Sequence, residues 1–438
     1  MRLIIEATKE MIYCAQKNDE WCIIDARNSD AYIGWKRKGE IAGHIPYAKL
    51  FSAEWLDKEW RESRNDYEIL LELQLESQKI TPEKNIIIYA ENETDAEAVC
   101  DYMQSKGITK LFYYNLKNWE GDLFKYPNYR LMAPAWLVND MLEGRTEYGT
   151  LNQDFKIFEI AWKEPSQTYL EHHIPGAVHI DSNEFELSPQ WIMTDDKSLA
   201  EFARKNGITK NTTVITYGND SLNFSAAAKL AVVLRYLGIK NVMCLNGTLK
   251  NWIAKGYPTE KGNIPKTPCG DNEKYILNRS HALHMESIKE LLADPLKGTV
   301  IDIRNWEEYI GEDSGYDYLD KAGRIPGTKW CYYPRMYISP TNQIGNLDVM
   351  LGVWEAAGID LKRTMAFFCG SASWGASVLK TFANVAGFDN ATIYEGGWCE
   401  WCDYPDNPIE SGIPEAFKNY DPQRFSVLLP KEGGCHVM

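Results

Sequence analysis

No stretch of this 438-residue chain approaches the roughly 20 consecutive apolar residues that a membrane-spanning helix needs, which excludes an integral helical membrane protein. Cysteine is scarce. Ten residues fall far below the roughly 8–10% of a disulfide scaffold, so most thiols are expected to be reduced and buried, as in a reducing compartment. Basic charge is short as well: 62 Asp and Glu stand against 47 Lys and Arg, a net charge of −15. Without a basic excess the chain is a poor candidate for general nucleic-acid binding. The segment from Met1 to Gln16 lacks the basic stretch, apolar run and small-residue cleavage site of a secretory leader. The cytoplasm is therefore the expected location, or the periplasm if a leader had been trimmed away. Apolar residues at 44% and charged residues at 25% describe an ordinary globular mixture, and the length fits about three domains.

What is present is a repeat. Gly43-His44-Ile45-Pro46-Tyr47-Ala48 returns as His172-His173-Ile174-Pro175-Gly176-Ala177 and as Gly323-Arg324-Ile325-Pro326-Gly327-Thr328. Ile45 and Ile174 are 129 residues apart, and Ile174 and Ile325 are 151 apart. A second marker keeps nearly the same spacing: the apolar runs Ile86–Tyr89, Val214–Tyr217 and Ala366–Phe368, followed by Ala90, Gly218 and Cys369. Each run reads as a buried parallel strand. Behind each lies a helical stripe (Ala96, Val99, Cys100, Met103; Ala227, Leu230, Ala231, Leu234; Leu379, Phe382, Ala383, Ala386), ending near Gly107, Gly238 and Gly387. Upstream strands run through Cys22–Arg27, Ile157–Ile160 and Val300–Arg304, and Trp119, Trp252 and Trp401 close the units. The reading is α/β: three tandem domains, 1–130, 131–268 and 269–438, each a central, mostly parallel sheet flanked by helices. The third is longest, with an insertion from Asn305 to Ala322.

Only the third unit places a cysteine at the strand-to-helix turn, in Cys369-Gly370-Ser371-Ala372-Ser373-Trp374-Gly375. Such a turn sits at the carboxyl edge of the sheet, where open α/β folds bind ligands. Its N–H groups and the helix start form an anion cradle, so Cys369 is expected to have a lowered pKa and to act as a nucleophile. Gly370 and the small Ser371, Ala372 and Ser373 leave room for an anionic substrate.

The order of an Asp-x-Arg strand, an Ile-Pro-Gly motif, a strand–Cys loop–helix and a closing Glu395-Gly396-Gly397-Trp398 resembles the rhodanese domain, and the third unit resembles that of three-domain bacterial sulfurtransferases. The resemblance implies a sulfurtransferase with two degenerate domains and one catalytic domain. It moves sulfane sulfur from a small anionic donor, thiosulfate or 3-mercaptopyruvate, through a Cys369 persulfide to cyanide or a thiol, including a protein thiol such as thioredoxin. Residues Gly370 to Gly375 form the cradle. Cys-Gly-Ser is similar to the mercaptopyruvate type of loop. Ala372 replaces the usual glycine, Trp374 stands where many rhodaneses carry Arg, and Glu308 stands where two-domain mercaptopyruvate enzymes carry a substrate-gripping Arg. The missing charge is sought in Arg304, Arg324, Arg335 or Arg363. Arg304 has two readings, substrate contact and an internal ion pair with Asp302 like that of Asp25 and Arg27. Trp374 either walls the pocket or packs.

Cys399-Glu400-Trp401-Cys402 is a C-x-x-C, read as a sulfur relay or as two ordinary positions of the closing element; one pair cannot complete a four-ligand zinc site. Cys435-His436 reads as a tail. His281 and His284 have no ligating companions at metal spacing, so neither a metal nor a cofactor is expected. A monomer or weak dimer is expected. The alternatives are a catalytically idle scaffold and, more weakly, a Cys-dependent phosphatase, whose loop would need an Arg to clamp phosphate.

Overall fold

The computed structural model describes residues 5–63, 65–145, 154–331 and 339–417. They fall into two compact units, residues 1–129 with 334–350, and residues 130–333 with 351–438.

The first unit holds a five-stranded parallel sheet of β1 (Ile5–Glu6), β2 (Trp21–Asp25), β3 (Lys49–Leu50), β4 (Asn85–Ala90) and β5 (Leu111–Asn115), in the order β1-β5-β4-β2-β3. Its central strand β4 is buried on both faces, which is why Ile86-Ile87-Ile88 is apolar without alternation. Helix α1 (Glu93–Ser105) follows β4, and Asn92 caps it by accepting from the Asp95 N–H at 2.9 Å. Residues 339–350, distant in sequence, pack in this unit. Asn346 exchanges hydrogen bonds with both backbone groups of Leu50, and the Ser29 hydroxyl donates to the Ile344 carbonyl.

The second unit contains two more sheets. One is β6 (Met132–Ala133), β7 (Phe155–Ala161), β8 (Val178–Asp181), β11 (Thr213–Tyr217) and β12 (Val242–Leu245), ordered β6-β12-β11-β7-β8, with the hairpin pair β9 (Glu186–Leu187) and β10 (Ile192–Met193) beside it in sequence. The other is β13 (Ala282–Leu283), β14 (Gly298–Asp302), β15 (Lys329–Trp330), β16 (Thr364–Phe368) and β17 (Ala391–Tyr394), ordered β13-β17-β16-β14-β15. In all three sheets the chain visits equivalent positions in the same order and every pairing is parallel, as the repeat requires. Helix α2 (Ser221–Tyr236) follows β11, and its N-cap Asp220 accepts from the Asn223 N–H at 2.8 Å. The glycines that end the three stripes, Gly107, Gly238 and Gly387, all have positive φ.

The Ile-Pro motifs have a common anchorage. His44, His173 and Arg324 each form an isolated antiparallel bridge to the chain beyond the closing Trp, at Phe124, Glu260 and Glu410. Among the described residues no helix is long and apolar enough to cross a membrane. Of the nine described cysteines none is in a disulfide, and seven are buried.

Candidate active site

Cys369 leaves the end of β16, and helix α4 (Trp374–Val385) begins five residues later. This helix starts unlike its counterparts. Its N-cap Ser373 makes no side-chain cap, because the hydroxyl instead donates to the carbonyls of Tyr394 (2.7 Å) and Glu395 (3.1 Å). The first N–H groups of a helix need partners from outside it. Here those of Ala376 and Gly375 serve the Cys369 sulfur. In the first two repeats a side chain takes that role. The loop reaches this start through two left-handed residues, Ala372 (φ 55°) and Ser373 (φ 54°). Neither is glycine, so each adds strain of roughly 1–2 kcal/mol.

The loop is packed closely against its neighbours. The Cys369 thiol donates to the Ser371 carbonyl at 3.3 Å. Gly370 lies under Tyr316, where a Cβ would fall 2.0 Å from the phenol oxygen. Gly397, at the start of α5 (Gly397–Asp403), also lies too close for a side chain: a Cβ there would stand 2.6 Å from the Cys369 carbonyl. From α5, the Trp398 and Cys399 N–H groups donate to the Cys369 and Gly370 carbonyls at 3.0 and 2.8 Å. Tyr318 donates to the Ser371 hydroxyl at 3.5 Å and lies 4.0 Å from the Cys399 sulfur. Gly370→Ala is therefore expected to displace Tyr316 and re-aim the loop. A misplacement of this size lowers a reaction rate by about 10²-fold. The rate of Cys369 modification measures it, and an unchanged rate would show that the loop tolerates the extra carbon.

Burial changes the expected ionisation. Cys369 is 5% exposed, and loss of solvation pushes its thiol up to about 11, not down. The Ala376 and Gly375 N–H groups and Lys229 pull in the other direction, while Glu308 adds to the rise. The helix start does act as expected, but desolvation outweighs it.

Two of the sought cations are engaged away from the loop. Arg324 bonds the Gly412 carbonyl and Glu410, Arg363 pairs with Asp360 at the surface, and Arg335 lies outside the described residues, as do Cys435 and His436. Arg304 is buried and doubly bonded to Asp302, its Nε and Nη2 reaching the two carboxylate oxygens at 3.0 and 2.7 Å. Its Nη2 also donates to the Gly323 carbonyl, and its guanidinium lies over the Trp398 ring. Arg27 repeats the pairing with Asp25, but its Nη1 also reaches Glu91 at 3.3 Å. Gly370 occupies the place of Glu91, and Nη1 of Arg304 has no hydrogen-bond partner. Internal pairing is thus the main setting of Arg304. Glu308, capping α3 (Trp306–Ile310), is pushed up to about 7 by burial against the pull of Arg304.

Further residues at the loop come from the second repeat. The indole N–H of Trp374 donates to both Glu186 carboxylate oxygens at 3.1 Å, and the Ala372 N–H donates to the Gln190 carbonyl. The Met193 N–H donates to Glu395, which also bonds His284, and Trp191 packs on Tyr318 with ring centroids 5.8 Å apart. Nothing local in Ser182–Met193 signals this role, because it depends on which loop the hairpin meets. Trp374 therefore both packs, at 3% exposure, and makes a specific hydrogen bond. Cys399 and Cys402 are buried thiols, each pushed up to about 12 by desolvation.

A model of the rhodanese-like domain matches residues 8–122, 151–255 and 284–404. Thiosulfate sulfurtransferase YnjE of Escherichia coli (strain K12) is 32% identical over 400 residues, covering 89% of this chain and 88% of YnjE. The crystal structure of YnjE matches with a TM-score of 0.84 at 30% identity, over 94% of this chain and 98% of that one. The anaerobic ergothioneine biosynthesis enzyme from Chlorobium limicola, solved with its natural substrate trimethyl histidine, matches with a TM-score of 0.85 at 27% identity, over 94% of this chain and 100% of that one. So does EanB, solved with ergothioneine covalently linked to a persulfide cysteine, with the same TM-score, identity and coverage.

Proposed function

The chain belongs to the rhodanese-like domain family and is a rhodanese-type sulfur-transferring enzyme, and from that premise we propose that Cys369 is its sulfur carrier. The Cys369 thiolate attacks the outer sulfur of thiosulfate, or the sulfur of 3-mercaptopyruvate. A Cys369 S–S bond forms as the donor's bond to that sulfur breaks, and sulfite or pyruvate leaves. A thiol or cyanide then takes the outer sulfur and returns Cys369 to the thiolate. One observation carries this reading: the third repeat alone puts a cysteine at the strand-to-helix turn, under helix N–H groups that its sister helices spend on side-chain caps. Residues 1–130 and 131–268 are read as repeats without a nucleophile, and 269–438 as the catalytic one. Incubation with each donor, followed by peptide-resolved mass spectrometry, is expected to show one added sulfur on Cys369. Loading on another cysteine instead, with Cys369 unmodified, would overturn the assignment.

The surroundings of the loop favour a second acceptor class. Tyr316 and Tyr318 lie against the Cys369 loop, Trp191 packs on Tyr318, Glu308 acts on the Cys369 sulfur and Glu186 accepts from Trp374. Aromatic faces attract quaternary ammonium groups. An acceptor like trimethyl histidine, the substrate bound by the Chlorobium limicola relative, fits that lining. Transfer of the outer sulfur into a C–H bond of such an acceptor would give C–SH and return the Cys369 persulfide to the thiol. Sulfur-bearing product from loaded protein and trimethyl histidine supports this acceptor; product with cyanide or thiols only argues against it.

A further inference from the structure

Lys229 sits in the middle of α2 among Ala226, Ala227, Ala228, Leu230, Ala231 and Val232, and is 0% exposed. Its ammonium has no hydrogen-bond partner. Burying an ammonium without such bonds is strongly unfavourable. An apolar side chain would serve the packing of this helix better. The group nearest in charge is Glu186 on β9, 3.9 Å away. Glu186 is itself fully buried, and both its oxygens accept from the indole N–H of Trp374 at 3.1 Å. Trp374 is the first residue of α4, directly before the Gly375 and Ala376 N–H groups that face Cys369. Buried contacts thus lead from a helix of the second repeat, through Glu186 and Trp374, to the helix start that faces the sulfur of the third.

We propose that Lys229 is a positioning residue for Cys369: aligned by Glu186 and Trp374, its ammonium supplies the positive charge that stabilises the Cys369 thiolate and persulfide anions. The repeat that has lost its own nucleophile thereby completes the site of the repeat that keeps one. This rests on the reading of Cys369 as the sulfur carrier. It also answers where the positive charge comes from in an acidic chain whose cysteine loop carries no Lys or Arg.

The other groups facing the sulfur are Glu308 from α3, Tyr318 from the inserted loop and Cys399 from α5; Glu395 and Asp181 face Glu186. Glu308 opposes ionisation of Cys369, and Lys229 favours it. Burial pushes the Glu186 carboxyl up to about 8, while Lys229 and the Trp374 N–H pull it down.

The test uses the full chain and the pH dependence of Cys369 alkylation by iodoacetamide, read peptide by peptide. Lys229→Met is expected to move the half-maximal pH upward by about one unit and to slow alkylation at about pH 8 roughly tenfold. Lys229→Arg is expected to stay closer to the parent. Should Lys229→Met fail to fold, the double variant Lys229→Met with Glu186→Gln, which strands no charge, gives the same reading. Lys380→Met removes a buried lysine of α4 that bonds Asn384, and is expected to leave the profile in place. A parental profile in the folded Lys229→Met or double variant overturns the proposal. Sulfur loading is measured on the same samples. A parent that loads no sulfur refutes the carrier reading, while the alkylation profile still decides Lys229.

Discussion

Cys369→Ser is expected to abolish sulfur loading and to lower turnover by at least about 10³-fold, since the nucleophile itself is lost. A serine hydroxyl cannot become a persulfide, and its ionisation lies further from neutrality than that of a thiol. The fold should hardly register the change. The Cys369 thiol donates one weak hydrogen bond, to the Ser371 carbonyl, which a hydroxyl can replace, and a hydroxyl oxygen can also accept from the Gly375 and Ala376 N–H groups. The comparison that matters is with Cys399→Ser and Cys402→Ser, assayed with the same donors. These are expected to keep sulfur loading, because neither thiol lies at a strand-to-helix turn. Turnover surviving in Cys369→Ser but lost in Cys399→Ser would move the carrier to the closing helix. The burial of Cys369 adds a pH signature. A thiol held up to about 11 gains thiolate as pH rises, so alkylation without donor should keep accelerating above about pH 9.

Arg304→Met is expected to destabilise the second compact unit by about 3–5 kcal/mol, the largest stability effect foreseen for a single substitution in this site. Asp302 is 0% exposed, and Arg304 supplies two of its charge-assisted hydrogen bonds. Removing the guanidinium leaves a buried carboxylate without its counter-charge, and also frees the Gly323 carbonyl beside the Ile-Pro motif. Denaturant unfolding followed by near-ultraviolet circular dichroism reads the loss. Asp302→Asn combined with Arg304→Met should recover much of it, because no buried charge is then stranded. A raised KM for the donor with unchanged stability would instead mark Arg304 as a substrate ligand acting through its open Nη1. The parallel variant Arg27→Met, in the first unit, is expected to lose stability without affecting sulfur loading.

Much of this molecule was legible before any coordinates. Alternating strands and helices follow from apolar runs such as Ile86-Ile87-Ile88 and from stripes such as Leu379, Phe382 and Ala383, because burial on one or two faces dictates those patterns locally. The left-handed glycines were legible because only a residue without a Cβ takes that conformation freely. Strand ends were less so. Arg27 and Arg304 read as strand residues but lie just beyond β2 and β14, where their side chains turn back onto Asp25 and Asp302. The membership of residues 339–350 in the first unit had no local signal, since Asn346 meets Leu50 across almost 300 positions of chain.

By itself the sequence determined the three repeats, their parallel topology and the position of the one cysteine at a strand-to-helix turn. These depend on periodicity and spacing, which are properties of short windows. Tertiary structure decided how that cysteine behaves. Burial raises its pKa against the pull of the helix start, Trp374 takes a carboxylate from the second repeat, and the nearby ammonium comes from Lys229 in a helix whose sequence reads only as core. Ionisation follows solvation and distance, and both are set by which surfaces meet once the chain has folded.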